Sequence, residues 1–211
     1  MIKRAVARLF GMSVAGFARA LTGVLPAWQG CLPDARQRVY FANHSSHGDF
    51  VLIWTVLPHH IRRRTRPVAA LDYWGDGVRG FIGREVFNAV LVDRRHTTGR
   101  EPIAVIMDAL AEGSSLILFP EGTRNTADDD LLPFRSGLHR LSQARRDVEF
   151  VPVWIDNVSR VMPKGEFLPV PLLCSVTFGA PMDIRVDEDK AVFLERARTA
   201  LLALRPGRRA P

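Results

Sequence analysis

The sequence predicts an α/β domain with a mostly parallel mixed sheet flanked by helices, preceded by an N-terminal amphipathic helix. Short β-rich runs alternate with helical patterns along most of the chain, which is typical of parallel strands joined by crossover helices. The 211 residues, 47% of them hydrophobic and 24% charged, suffice for one domain with a sizeable core. We therefore divide the chain into an N-terminal segment, residues 1–30, and one larger domain, residues 31–211.

The N-terminal segment is expected to form a helix with a basic side and an apolar side. Projected at about 100° per residue, the apolar side carries Val6, Leu9, Phe10, Phe17, Leu21 and Val24, and the opposite side Arg4, Arg8 and Arg19. Such a helix is typical of one lying in a membrane interface. The alternative is a helix that covers the protein's own core.

Two other interpretations of this segment are less favoured. Its apolar run, residues 9–18, is much shorter than the ~20 residues that cross a bilayer. A charged start followed by this run and by Ala18-Arg19-Ala20 gives it features of a secretory signal. Gly11, Ser13 and Gly16 dilute the run, which argues against that interpretation.

Beyond a break bracketed by Pro26 and Pro33, strands and helices alternate. Apolar and β-branched runs predict strands at residues 39–42, 67–71, 89–93, 116–119, 150–155 and 175–178. Helical patterns predict helices at 49–57, along the stripe Ile103–Leu110, at 138–144 and at 188–204. In such sheets, functional sites form on the loops at the carboxyl ends of strands, so those loops are the ones to search.

The first polar loop, residues 43–49, carries a candidate acid–base pair. His44 is suited to act as a general base at neutral pH. Asp49 lies five positions further on, and a straight helix would separate the two side chains by about 140°. If the chain turns back between them, Asp49 can fix the imidazole tautomer and leave the other ring nitrogen free to take a proton.

Three alternatives for this loop stay open. Asn43 or Ser46 would simply cap the following helix while the histidines are solvated. His44, His47 and Asp49 would supply three metal ligands of a metal-dependent hydrolase. Ser45 or Ser46 would be a nucleophile, although neither lies in a nucleophile-elbow sequence.

A second loop follows the strand at 116–119 and holds Glu121, Gly122 and Arg124. Arg124 can bind a phosphate through two hydrogen bonds, and Gly122 lets a ligand approach the backbone. Glu121 would orient that arginine or bind a substrate hydroxyl. The alternative is a β-turn with an exposed ion pair.

Two more strand ends complete the pattern. The strand at 89–93 runs into Arg94 and Arg95, either of which is a candidate second phosphate ligand. The strand at 150–155 contains Pro152, which suggests an edge or a bulge and a pocket wall.

Together these segments resemble the glycerolipid acyltransferase family, the 1-acylglycerol-3-phosphate (lysophosphatidate) acyltransferases, which is characterised by four ordered blocks. The matches, in order, are Asn43, His44 and Asp49; Val90–Arg94, with Leu91 where an aromatic residue is usual; Phe119–Arg124, without a change; and Val151–Val153. The resemblance spans about residues 39–180 and makes residues 31–211 an acyltransferase domain.

The resemblance implies an O-acyltransferase that moves a fatty acyl group from acyl-CoA or acyl-carrier-protein to the free hydroxyl of a lysophospholipid, lysophosphatidate by default. It implies no bound cofactor and no metal. His44 would be the general base and Asp49 would orient it. The acceptor would be bound by Arg94, Glu121, Gly122, Thr123 and Arg124.

The charge balance, 29 Lys and Arg against 22 Asp and Glu, gives a net charge of +7 and favours anionic partners. We expect no nucleic acid among them, because no recognition motif or interleaving of basic and aromatic residues is present. A lipid acceptor implies a peripheral or monotopic position on the cytoplasmic face of an anionic membrane. Residues 62–66 and 205–209 are basic and suit that surface. A non-catalytic basic membrane-binding module remains the alternative from another class.

The two cysteines, Cys31 and Cys174, are too few for a disulfide scaffold or a four-cysteine zinc site. They suggest a reducing compartment.

Overall fold

A computed structural model describes residues 2–46, 48–95, 97, 99–127, 129–156 and 174–207; of residues 2–9 and 15 it describes the backbone only. Within these residues the strands are β1 Leu25–Trp28, β2 Arg38–Ala42, β3 Thr65–Ala70, β4 Val90–Val92, β5 Ser115–Leu118, β6 Glu149–Asp156 and β7 Ser175–Phe178. The helices are α1 Ile2–Thr22, α2 Asp49–Val56, α3 His59–Arg62, α4 Leu71–Trp74, α5 Gly77–Phe81, α6 Pro102–Ala111, α7 Gly137–Ala144 and α8 Lys190–Leu202. Helix α5 continues directly into a π-helical turn, Ile82–Val86.

The described strands form one seven-stranded sheet in the order β1-β7-β6-β2-β5-β3-β4. Its strand pairs are parallel except for β6 and β7, which are antiparallel. The predicted fold class, a mostly parallel mixed sheet flanked by helices, is therefore confirmed. Each predicted strand and helix is present, with ends that differ by two residues at most. Helices α3, α4 and α5 and the π-helical turn were not predicted.

Strand β1 was also missed, because Pro26 argued for a break in the chain. It lies at the edge of the sheet, where a missing N–H group is tolerated. The backbone N–H of Leu25 donates to the carbonyl of Cys174, the residue before β7, at 3.2 Å, and that of Gln29 donates to Phe178 of β7 at 2.7 Å. Since these donors alternate along the strand, the nitrogen of Pro26 faces the open edge. The strand lies inside the segment assigned to residues 1–30, and the division at residue 30 stays a prediction.

The core has two layers because the central strands bury both faces. In β2, Tyr40 and Ala42 pack with α2, whereas Val39 and Phe41 pack against α6, α7 and α8. Every residue of β2 is buried, which explains why it reads as a continuous apolar run rather than an alternating one.

Helix α1 lies against α2 and the π-helical turn with its small side chains inward. A Cβ on Gly11 would lie 3.3 Å from Val86, and Ala18 is buried. Phe10 and Phe17, from the predicted apolar side, are instead 43% and 68% exposed. Thus the helix covers part of the core and also presents apolar surface outward. No helix in the described part of the chain has the length and apolar content that crossing a bilayer requires.

Candidate active site

A cavity of about 480 Å³ lies where the segments that follow β2, β3, β4 and β5 meet. Its lining includes His44, Arg94, Gly122, Thr123 and Arg124. Parallel strands bring their carboxyl ends to one edge of a sheet, so loops that are distant in sequence come together there. The predicted residues of these loops therefore line one cavity, and their roles as site residues stay a prediction.

Asp49 and His44 meet as the turn hypothesis required. Oδ2 of Asp49 lies 2.9 Å from Nδ1 of His44 and also accepts the backbone N–H groups of Ser45 and Ser46, at 2.7 and 2.8 Å. The Asp49 side chain is only 1% exposed. Because an ionised carboxylate only accepts hydrogen bonds, the neutral imidazole carries its proton on Nδ1. Nε2 is then left with a lone pair that can take a proton.

The ring and the backbone of His44 are both held in place. Its ring stacks on Phe119, with centroids 4.1 Å apart and planes 19° apart. Its backbone N–H donates to Oε1 of Glu121 at 2.9 Å, and its carbonyl accepts the N–H of Asn125 at 2.6 Å. The loop after β2 and the loop after β5 are therefore joined through this one residue.

Asn43 and Ser46 do not cap helix α2, contrary to one alternative. The amide of Asn43 bonds both backbone groups of Ile155, at 2.8 and 2.9 Å, and so extends the pairing of β2 with β6 by one residue. Ser46 accepts the N–H of Gly48 at 3.2 Å. The residue before the helix, Gly48, makes no side-chain cap.

Glu121 lies behind the cavity wall rather than on it. Its side chain is buried, and its two oxygens accept the backbone N–H groups of His44 and Leu132 at 2.9 and 2.8 Å. Burial raises the pKa of this carboxyl, and the two N–H donors only partly oppose that shift. This position joins two loops. The predicted contact of Glu121 with the acceptor stays a prediction.

Of the two candidate arginines after β4, Arg94 is the one that lines the cavity. Its guanidinium donates to the carbonyl of Gly122 at 3.1 Å and to Asp72 at 3.3 Å. Arg95 is 75% exposed and lies 3.8 Å from the other oxygen of Asp72. Arg94 therefore reaches from β4 across to the loop after β5.

Arg135 was missed by the sequence reasoning. It lines the cavity, its backbone N–H donates to Pro120 at 2.8 Å, and its Nε donates to the carbonyl of Glu121 at 3.4 Å. Its side chain crosses Gly122, where a Cβ would lie only 2.3 Å from Nε. Gly122 also has φ +71°, a conformation that favours glycine. Arg135 lies eleven positions after Arg124, and a single sequence gives no pattern that links two residues at this distance.

The rest of the cavity wall is largely apolar. Helix α4 contributes Tyr73 and Trp74 near Phe50, and the sheet and helices α6 and α7 contribute aliphatic side chains that include Val92, Ile106 and Leu138. A guanidinium-lined wall beside an apolar one suits an amphiphilic ligand.

The metal hypothesis involved His47, which lies outside the described residues. Within the described ones, no group of three His, Cys, Asp or Glu side chains is placed to hold a metal ion.

A family model described as Acyltransferase matches residues 29–156. The chain belongs to the Acyltransferase family. The resemblance drawn from the four blocks is thereby confirmed. The matched part of the chain contains His44, Asp49, Arg94, the loop at 121–124 and Arg135.

Named relatives agree with the family. The 1-acyl-sn-glycerol-3-phosphate acyltransferase of Limnanthes alba is 24% identical over 200 residues, which cover 83% of this chain. Taffazin of Dictyostelium discoideum is 28% identical over 167 residues, 73% of this chain and 55% of the relative. The chain spans about 60% of the length of the Limnanthes relative.

The fold is also that of a solved structure. The crystal structure of the 1-acyl-sn-glycerophosphate (LPA) acyltransferase PlsC from Thermotoga maritima superposes with a TM-score of 0.71 at 20% sequence identity. The match covers 95% of this chain and 81% of the other.

Proposed function

We propose that the protein is an O-acyltransferase that moves a fatty acyl group from an acyl thioester to the free hydroxyl of a lysophospholipid, in particular 1-acylglycerol-3-phosphate. One observation carries the proposal. An imidazole bonded to a buried carboxylate lies on the wall of the cavity that Arg94 and Arg124 also line. The name of the Limnanthes relative supports the choice of acceptor.

In the proposed reaction, Nε2 of His44 accepts the proton of the acceptor hydroxyl as its oxygen attacks the thioester carbonyl. A C–O bond forms, and the tetrahedral species collapses with cleavage of the C–S bond. The imidazolium returns the proton to the departing thiolate, which leaves as a thiol. General-base assistance of this kind contributes about 10²–10⁴ in rate.

Asp49 performs two tasks in this reaction. It holds the proton on Nδ1, so that Nε2 faces the hydroxyl with its lone pair, and it stabilises the imidazolium that forms. The bonds from the backbone N–H groups of Ser45 and Ser46 hold the carboxylate in its orientation. No covalent acyl-enzyme is involved.

The acceptor phosphate is bound by Arg94 and Arg124 beside Gly122, with Thr123 within the same loop. Guanidinium groups bind phosphate oxygens in pairs, which fixes the orientation as well as the position of the headgroup. The acyl donor is acyl-CoA or acyl-carrier-protein, and the apolar wall receives hydrocarbon.

The proposed location is the cytoplasmic face of an anionic membrane, held peripherally or monotopically. The exposed Phe10 and Phe17 of α1 and the net charge of +7 support this location. Cosedimentation of the full chain with anionic vesicles tests it. Binding should weaken when Phe17 is replaced by Ser, and equal binding by the variant would contradict the role of α1.

An acyl-transfer assay tests the proposed activity. Purified protein is supplied with acyl-CoA or acyl-carrier-protein and a panel of lysophospholipids, and the lipid products are identified by mass. We expect diacyl product from 1-acylglycerol-3-phosphate and release of one free thiol per acyl group transferred. Thiol release with free fatty acid and no diacyl lipid would indicate a hydrolase and overturn the proposal.

A further inference from the structure

The cavity side chains around Gly122 form a charged cluster that reaches beyond the matched motifs. Arg94 donates to the carbonyl of Gly122 at 3.1 Å, whereas the side chain of Arg135 occupies the space that a Cβ of Gly122 would need. Arg124 is two residues further along the same loop and lines the same cavity. Two guanidinium groups thus approach one glycine from different elements, and a third follows it in sequence.

We propose that Arg135 is a third ligand of the acceptor phosphate and makes the site selective for a phosphomonoester headgroup over a phosphodiester. This inference rests on the proposed function. Its basis is the charge of the described cavity-lining side chains, namely the guanidiniums of Arg94, Arg124 and Arg135 and the carboxylate of Asp72.

These four side chains leave a net charge of two positive. A phosphomonoester carries close to two negative charges at neutral pH, whereas a phosphodiester carries one. Asp72 is paired with Arg94 at 3.3 Å, so it offsets part of the charge of Arg94 before a ligand binds. Arg124 and Arg135 then supply the two charges that match the dianion.

Arg135 is also held where it can perform this task. Its backbone N–H and its Nε donate to successive carbonyl groups, those of Pro120 and Glu121. Because Nε is used in this way, Nη1 and Nη2 are the guanidinium nitrogens that remain to bind a ligand. Any side chain at position 122 would meet Nε and Cδ of Arg135 at 2.3 and 2.5 Å. Arg135 can take this position because Gly122 has no side chain.

The test compares lysophosphatidate, a phosphomonoester, with lysophosphatidylglycerol, a phosphodiester with the same acyl chain. The ratio of their kcat/KM values is measured for the wild type, Arg135→Ala and Arg135→Lys. Arg140→Ala is the matched control, because Arg140 is exposed on α7 and is outside the cavity lining.

We expect Arg135→Ala to lower the preference for lysophosphatidate about tenfold, mainly through the KM of that acceptor. Arg135→Lys should keep most of the preference because it keeps the charge, and Arg140→Ala should keep all of it. An unchanged preference in Arg135→Ala, or an equal loss in the lysine variant, would overturn the charge-matching role.

A second measurement separates this inference from the proposed function. Binding of glycerol 3-phosphate is measured by calorimetry for the wild type and for Arg135→Ala, without any acyl donor. Weaker binding by the variant supports Arg135 as an anion ligand even if no acyl transfer is observed with either acceptor. Equal binding by the two proteins overturns it, whatever the activity.

Discussion

The two halves of the site, called here the base end and the anion end, are built in opposite ways. At the base end, which comprises His44, Asp49 and Glu121, both carboxylates are buried and accept backbone N–H groups. At the anion end, which comprises Arg94, Gly122, Arg124 and Arg135, the side chains are more open, and Arg94 is 49% exposed. Hydrogen bonds in a buried setting are electrostatically stronger and more expensive to leave unmade than bonds in water.

This difference suggests that the protein fixes the geometry of its base before substrate binds and leaves the anion end to be completed by the ligand. A change to a carboxylate of the base end should therefore lower both turnover and stability, whereas loss of the His44 imidazole should lower turnover alone. A change at the anion end should affect acceptor binding and leave stability almost unchanged.

The largest effect is expected for His44→Ala at the base end. The substitution removes the group that accepts the hydroxyl proton, so kcat should fall by about 10²–10⁴. The backbone bonds of residue 44 to Glu121 and Asn125 do not require the ring, so the fold should persist. Initial rates and thermal unfolding measure the two quantities.

The control for this variant is His60→Ala, which removes an exposed imidazole from α3. Its turnover should match that of the wild type. Near-normal turnover by His44→Ala would contradict the assignment of the base, and with it the chemical meaning of the base end.

The next effect concerns Glu121, which makes no direct contact with the cavity. In Glu121→Gln, an amide NH2 group replaces one of the two carboxylate oxygens. It then faces the backbone N–H of either His44 or Leu132, and two donors meet without an acceptor. An unpaired buried donor costs about 1–3 kcal/mol. We expect the free energy of unfolding to fall by that amount and kcat to fall with it, because the backbone of His44 is displaced. The KM of the acceptor should change less.

The pH dependence of the same variant sharpens the comparison. Burial raises the pKa of Glu121 in the folded state above its value in the unfolded chain. The contribution of this protonation difference to the free energy of unfolding is therefore complete at pH values below the unfolded pKa. It is lost as the pH rises through the folded pKa. The gap in unfolding free energy between the wild type and Glu121→Gln should therefore be widest under acid conditions and narrow towards neutrality.

Glu112→Gln serves as the control, since Glu112 is 67% exposed and paired with Arg66. Its stability should follow that of the wild type at each pH. A gap for Glu121→Gln that widens as the pH rises would contradict a buried carboxyl with a raised pKa.

Much of the fold could be predicted because apolar runs identify buried strands, and β2, β5 and β6 are such runs. Strand β1 could not, because the compatibility of Pro26 with a strand depends on that strand lying at an edge. Edge position is a property of the assembled sheet and has no local signal.

The parts of the site also differ in how far the sequence could predict them. The residues of the loop left the pairing of His44 with Asp49 as one of several hypotheses, and the resemblance to the acyltransferase family favoured it; the two side chains do meet, at 2.9 Å. The bonds of Glu121 could not be predicted, since its partners are backbone N–H groups that any residue supplies. Arg135 was missed for a related reason. Its place depends on the return of the chain over Gly122, which the sequence does not encode as a spacing.

The smallest effect is expected at the anion end, for Arg124→Ala. The variant should raise the KM of lysophosphatidate about tenfold, because one charge-assisted hydrogen-bonding group is lost at a solvent-exposed position. Its kcat should stay close to the wild-type value, and the free energy of unfolding should change by no more than about 0.5 kcal/mol. Arg95→Ala removes a neighbouring arginine that lies outside the cavity lining, so its KM should be unchanged. A normal KM in Arg124→Ala would contradict the role of Arg124 as a phosphate ligand. A large loss of stability in the same variant would show that the anion end is as rigidly held as the base end.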